Sequence, residues 1–158
     1  MEDLALARAV HVLGVVVWIG GVSMVTTVLL PAVRSLPERE DPVDFFERVE
    51  RRFARQARIV TLLTGLSGFY LLYRLNAWGR YLSIESWWLH AMTLVWALFT
   101  LILFVFEPLV LHRKLAERAR SDPQGTLLLI ERAHRVLLLL SLLTVAGAVA
   151  GSHGWSLL

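Results

Sequence analysis

Residues 9–33 read AVHVLGVVVWIGGVSMVTTVLLPAV, 25 residues with no Asp, Glu, Lys or Arg. About 20 residues at ~1.5 Å rise each cross a hydrocarbon core, so this run predicts a membrane-spanning helix. Ser86–Phe106 and Val136–Leu158 are free of the same four residues over 21 and 23 positions. Ile59–Tyr73 offers only 15, bracketed by Arg58 and Arg74. Arginines at such a boundary lay their stems along lipid and keep the head in water, so a fourth span is predicted there. The spans fall at about 4–33, 59–76, 86–111 and 127–152, forming a single transmembrane domain. The expected fold is all-α: an integral membrane four-helix bundle with up-down topology. The chain starts Met-Glu-Asp, without the basic stretch of a signal peptide, and its first apolar run is too long for one. The first helix is therefore expected to stay.

Composition agrees. Of 158 residues, 56% are apolar and 18% charged, with a mean hydropathy of +0.60. Soluble domains run at about 45–50% and about 25%, and so small a globule could not bury the excess. The absence of cysteine excludes disulfide scaffolds, iron–sulfur centres and thiolate-held zinc or heme. A net charge of +3 and a pI near 9.9 would suit nucleic acid, but the distribution points elsewhere. Seven arginines lie between Arg34 and Arg58, and five with Lys114 between Arg113 and Arg135, against only Arg8, Arg74 and Arg80 on the other side. This is the positive-inside pattern. It places both termini outside and suggests a bacterial cytoplasmic (inner) membrane. Trp78, Tyr81, Trp87, Trp88 and Trp155 gather at the outer boundary as an aromatic belt. The expected partner is the lipid bilayer with its anionic headgroups, and no nucleic acid.

The inner loops carry helix signals. Asp41-Pro42 reads as an N-cap with proline at the first helical position. Phe45, Phe46, Val49, Phe53 and Ala57 follow at helical spacing, with arginines between them. They predict an amphipathic inner-surface helix before the second span. Ser121-Asp122-Pro123 repeats the start signal. Glu131 and Arg135, four apart, should pair, and Glu107 is expected to pair with an inner arginine.

Ionisable residues within spans mark function by default, which draws attention to five histidines. His11 and His90 start the first and third spans, both running inward, and so fall at one depth; His153 joins that layer. His112 and His134 lie near the inner ends. His11, Gly14, Trp18 and Gly21 share a face of the first helix: an axial imidazole, room, and a ring to stack on. Heme iron takes imidazole readily, so His11 and His90 are the expected ligands, with His153 and His134 in reserve. His134 has Arg132 and Arg135 beside it, able to hold carboxylates. Thr61, Thr64, Gly65 and Gly68, and Gly147 with Gly151, form small-residue stripes that serve close helix packing or a flat cofactor. Met24 and Met92 are soft ligands suited to Cu(I).

Three strings carry a family likeness. HVLGVVVWIGGVSMVTTVLLP (His11–Pro31), ERVERRFARQARIVTLLTGLSGFYLL (Glu47–Leu72) and SWWLHAMTLVWAL (Ser86–Leu98) resemble a superfamily of small four-span membrane proteins. It includes the HemJ-type protoporphyrinogen oxidases and the CopD-like copper-resistance domains. The resemblance covers most of the first three helices and implies heme b more than copper, with His11 matching the family's first-helix histidine. HemJ-type proteins have a lysine on the third helix where this chain has Met92, which argues against protoporphyrinogen oxidation. The fourth helix looks more like the CopD-like proteins. The expected function is a bis-histidine b-type heme protein for electron transfer or redox sensing, an oxidoreductase if it is an enzyme. It would work with a redox partner protein or a quinone, as a homo-oligomer or alone. The alternatives are a CopD-like copper transport protein using the same histidines with Met24 and Met92, a HemJ-like enzyme with an altered third helix, and a purely structural bundle.

Overall fold

Residues 2–35 and 42–153 are described by the computed structural model, and they are helical apart from short turns. Asp41, Trp155 and the side chain of His112 lie outside the described residues. Helix α1 (Glu2–Arg34) contains a π-helical turn, Val25–Leu29, just ahead of Pro31. Helix α2 (Pro42–Arg74) fuses the amphipathic segment and the 59–73 stretch into one rod of 33 residues. It stops at Asn76, whose φ of 49° is left-handed. Asn76 N–H donates to Tyr73 O at 3.1 Å and Ala77 N–H to Leu72 O at 2.9 Å, the paired bonds of a Schellman cap. Two 3-10 turns, Trp78–Leu82 and Ile84–Ser86, lead into helix α3 (Trp87–Leu101). This continues as a π-helical stretch, Ile102–Leu111. A short polar helix α4 (His112–Ser121) precedes α5 (Pro123–Ser152). Asp122 starts α5 as expected, its carboxylate accepting from Gly125 N–H at 2.8 Å.

Three helical stretches are long and apolar enough to cross a membrane: Glu2–Arg34, Ile84–Leu109 and Pro123–Ser152. Arginines crowd the first half of α2 and leave only 15 residues, 59–73, clear of charge. Helix α1 packs mainly on α2, and α3 mainly on α5, with lighter contacts of α1 to α5 and α2 to α3. The result is two close pairs set side by side. One end of the bundle carries the 78–86 turns, the other carries α4.

The interior inverts the usual pattern. Thr61, Thr64, Ser67, Ser141 and Thr144 are buried, while Leu13, Val16, Leu62, Leu66, Leu94, Leu139 and Leu143 are exposed. Apolar surface on that scale suits lipid, because soluble monomers seldom expose large apolar patches. Small residues admit the bulk inside: a Cβ at Gly65, Gly147 or Gly151 would run into Trp96, Trp87 or Trp88. Gly21 likewise makes room for Phe53.

The α4 end is closed. Val25, Leu30, Val33, Phe46, Leu127 and Ile130 form one buried cluster there. Beside it Glu131, only 3% exposed, accepts from Arg34 at 3.0 Å and from Arg135 as well. The expected Glu131–Arg135 pair is therefore present, with a second cation from α1. Glu107 accepts from Arg58 at 3.0 Å, so the arginine pairing expected for it is present. Arg58 Nε also donates to the Leu103 carbonyl at 3.0 Å. Pro108, five residues on, has no N–H to return to that carbonyl in a π-helical turn. The arginine supplies the donor instead.

Candidate functional site

A cavity of about 720 Å³ opens between the two helix pairs at the end carrying the 78–86 turns. Pockets of about 300–1,000 Å³ hold drug-sized or cofactor-sized molecules. The walls are mostly apolar, from α1, α2, α3 and α5. The Trp96 ring stands over Gly65 and is fixed by its Nε1–H donating to Thr61 O at 2.9 Å. Trp18 lies against Phe99 edge to face, with centroids 4.9 Å apart. It is 4% exposed, and its indole N–H has no acceptor among the described residues. Buried donors seldom go unmet, and Trp18 lines the cavity.

His11 is the chemically open group on the wall. Its Nδ1 lies 3.0 Å from Thr64 O and 3.3 Å from Ser67 Oγ. A carbonyl only accepts, so Nδ1 carries the proton and Nε2 presents a bare lone pair. Nε2 makes no hydrogen bond among the described residues. A carbonyl holding the far ring nitrogen is the arrangement that orients metal-binding histidines. Gly68 makes the room: a Cβ there would sit 3.0 Å from His11 Cε1.

Two cations stand where the cavity meets the surface. Arg8, one helical turn before His11, and Arg80, in the first 3-10 turn, both line it and are exposed. Neither has an ion-pair partner among the described residues. Glu85 lines the adjoining hollow with them. Sequence reasoning missed both arginines as site residues, although the i, i+3 spacing of Arg8 and His11 puts them on one face.

The remaining expected residues are dispersed. Gly14 does not line the cavity, because the space beside its Cα is taken by Thr64. His90 faces away from the cavity lining: its Nε2 meets Tyr81 O at 3.0 Å and its Nδ1 meets Ser86 O at 3.4 Å. The 78–86 turns fold back over it, and the Tyr81 ring meets it edge-on. His153 is exposed at the end of α5, its Nδ1 bonded to Val149 O at 2.8 Å. His134 lies at the α4 end, its Nδ1 on Ile130 O at 2.9 Å and its ring edge-on to Phe46. Met92 lines the cavity, whereas Met24 is 45% exposed and does not. Among the described residues no three of His, Asp or Glu gather as a ligand set for a bare ion.

These features meet the demands of an iron porphyrin, which brings four ring nitrogens of its own and needs only axial donors, apolar walls and cations for its carboxylates. His11 offers a nitrogen of the first kind, and Arg8 and Arg80 are charges of the last kind. No protein-family model, curated protein or solved structure matches the chain.

Proposed function

We propose that the chain is an integral membrane b-type heme protein, serving electron transfer or redox sensing, with its heme in the cavity beside His11. The observation that carries this reading is the state of that histidine. Nδ1–H is committed to Thr64 O at 3.0 Å, which leaves Nε2 bare on the wall of an apolar cavity of about 720 Å³. Heme supplies reversible one-electron chemistry at iron, and burial and ligand identity tune its potential. The protein's part is to hold and orient. His11 would hold the iron through Nε2, Arg8 and Arg80 would pair with the heme carboxylates, and the apolar walls would keep water away.

The reading includes a fourth span. The 59–73 part of α2 turns Ile59, Leu62, Leu63 and Leu66 outward, the same apolar periphery as its three neighbours, and Arg58 and Arg74 bracket it at interface depth. Four spans with the arginine-rich segments inside put the cavity mouth and both termini on the outer face of a bacterial cytoplasmic membrane. A periplasmic redox protein or a membrane quinone would then reach the site from that face.

The optical spectrum of the purified protein tests the function. Addition of hemin should give a stoichiometric Soret band that sharpens and shifts on reduction, and His11→Ala should abolish it. A full-length protein that binds no hemin, or binds it equally well without His11, overturns the proposal.

A further inference from the structure

The cavity offers one further group that could reach iron, and it is not a histidine. His90 is outside the lining and both its nitrogens face carbonyl oxygens. Among side chains that do line the cavity, the hydroxyls of Thr64, Thr93, Ser141, Thr144 and Ser152 donate to carbonyls of their own helices, and a neutral alcohol oxygen is a weak donor to iron. The Tyr81 hydroxyl is bound to Thr93 Oγ1 at 2.7 Å. The arginines are cations without a lone pair to give. That leaves the Met92 thioether. It sits on α3, whereas His11 sits on α1, and these two helices belong to different pairs of the bundle. Both residues lie within about three turns of the helix ends nearest the cavity mouth, Met92 five residues after Trp87 and His11 nine after Glu2. A flat group between the two pairs would have one of them on each side.

We infer that Met92 is the second axial ligand, opposite His11, so that the site is an imidazole–thioether site rather than a bis-imidazole one. This rests on the heme reading above. Thioether sulfur is a soft donor that favours the lower oxidation state, and His/Met ligation raises a heme's potential relative to two nitrogens. The site would therefore sit at the oxidising end of the b-type range and accept electrons from a quinol or a reduced partner.

The experiment uses the full-length chain, purified in detergent and loaded with hemin. Met92→Leu keeps the volume and apolar character of the side chain and removes only the sulfur. The expected result is a change from low-spin to high-spin iron, loss of the sulfur-to-iron charge-transfer band, new binding of carbon monoxide to the ferrous form, and a lower midpoint potential. Met92→His should restore a low-spin spectrum while keeping the potential low. If Met92→Leu retains the wild-type spectrum and potential, or if His90→Ala is the variant that turns high-spin, the inference is wrong and the heme reading stands. A wild type that is already high-spin and binds carbon monoxide also overturns it. A wild type that takes up no hemin overturns both.

Discussion

The two ends of the bundle treat charge differently. At the α4 end, buried Glu131 has two arginines on it and half-buried Glu107 has one. Apolar side chains fill the space between the helices. At the other end Asp3 is paired with Arg74, but Arg8 and Arg80 are unpaired among the described residues and His11 keeps a bare nitrogen; deeper in, Trp18 holds a buried N–H with no acceptor among the described residues. Leaving such groups unsatisfied costs stability, and unmet polar groups mark the places where a ligand completes a structure. A satisfied ion cluster locks helices together. An unsatisfied one beside a cavity is what a binding site looks like before its ligand arrives.

The sharpest way to break the contrast is to disable each end in turn. His11→Ala should abolish hemin binding while costing only about 1 kcal/mol of stability, the usual worth of one partly buried hydrogen bond. Titration with hemin and thermal unfolding in detergent would read the two effects separately. A large loss of stability with unchanged binding would mean that this end is the structural one.

Glu131→Ala should do the reverse. Breaking a buried ion pair costs about 3–5 kcal/mol, but Arg34 and Arg135 reach solvent along much of their length. A loss of about 2 kcal/mol is expected, with the heme spectrum unchanged. Loss of the spectrum in a folded protein would place a site at this end, near His134.

A smaller effect tests the cavity wall. Gly65→Ala pushes a methyl group into the Trp96 ring, and such overpacking costs about 1–3 kcal/mol. Because Trp96 lines the cavity, hemin affinity should fall as well. Gly20→Ala, where a Cβ meets nothing within 4 Å, is the control and should change neither. Equal behaviour of the two would show that Trp96 does not shape the site.

The smallest effect concerns the π-helical stretch. If Arg58 stands in for the N–H that Pro108 lacks, removing the arginine should matter less once the proline is gone. A double-mutant cycle of Arg58→Ala and Pro108→Ala should give a coupling of about 0.5–1 kcal/mol. A coupling of zero would separate the two residues.

What the sequence allowed depended on whether a property was local. Helix positions followed from uncharged runs and from the Asp122-Pro123 start, and the pairs of Glu131 and Glu107 followed from charges stranded in apolar surroundings. Other features arose from contacts distant in sequence. Periodicity puts His11 and His90 at one depth, yet the 78–86 turns fold back and engage the His90 ring with the Tyr81 carbonyl, which no helical spacing reports. Gly14 looked like space for a ring because nothing local says that Thr64 of α2 fills it. The π-helical stretches were signalled only indirectly, by Pro31 and Pro108. Met92 was read as a soft ligand, but its place on the wall of the same cavity as His11 depends on how the two helix pairs meet.

The close pairing of α1 with α2 has a consequence for biogenesis. His11 and its anchor Thr64 both belong to this first pair, and so does Gly68, which gives the ring its room. During synthesis these residues emerge before α3 and α5 exist, and chain segments fold in that order. The imidazole is thus oriented while the second half is still being made. The opposite wall arrives last, so the ribosome itself separates the step that prepares the histidine from the step that encloses it.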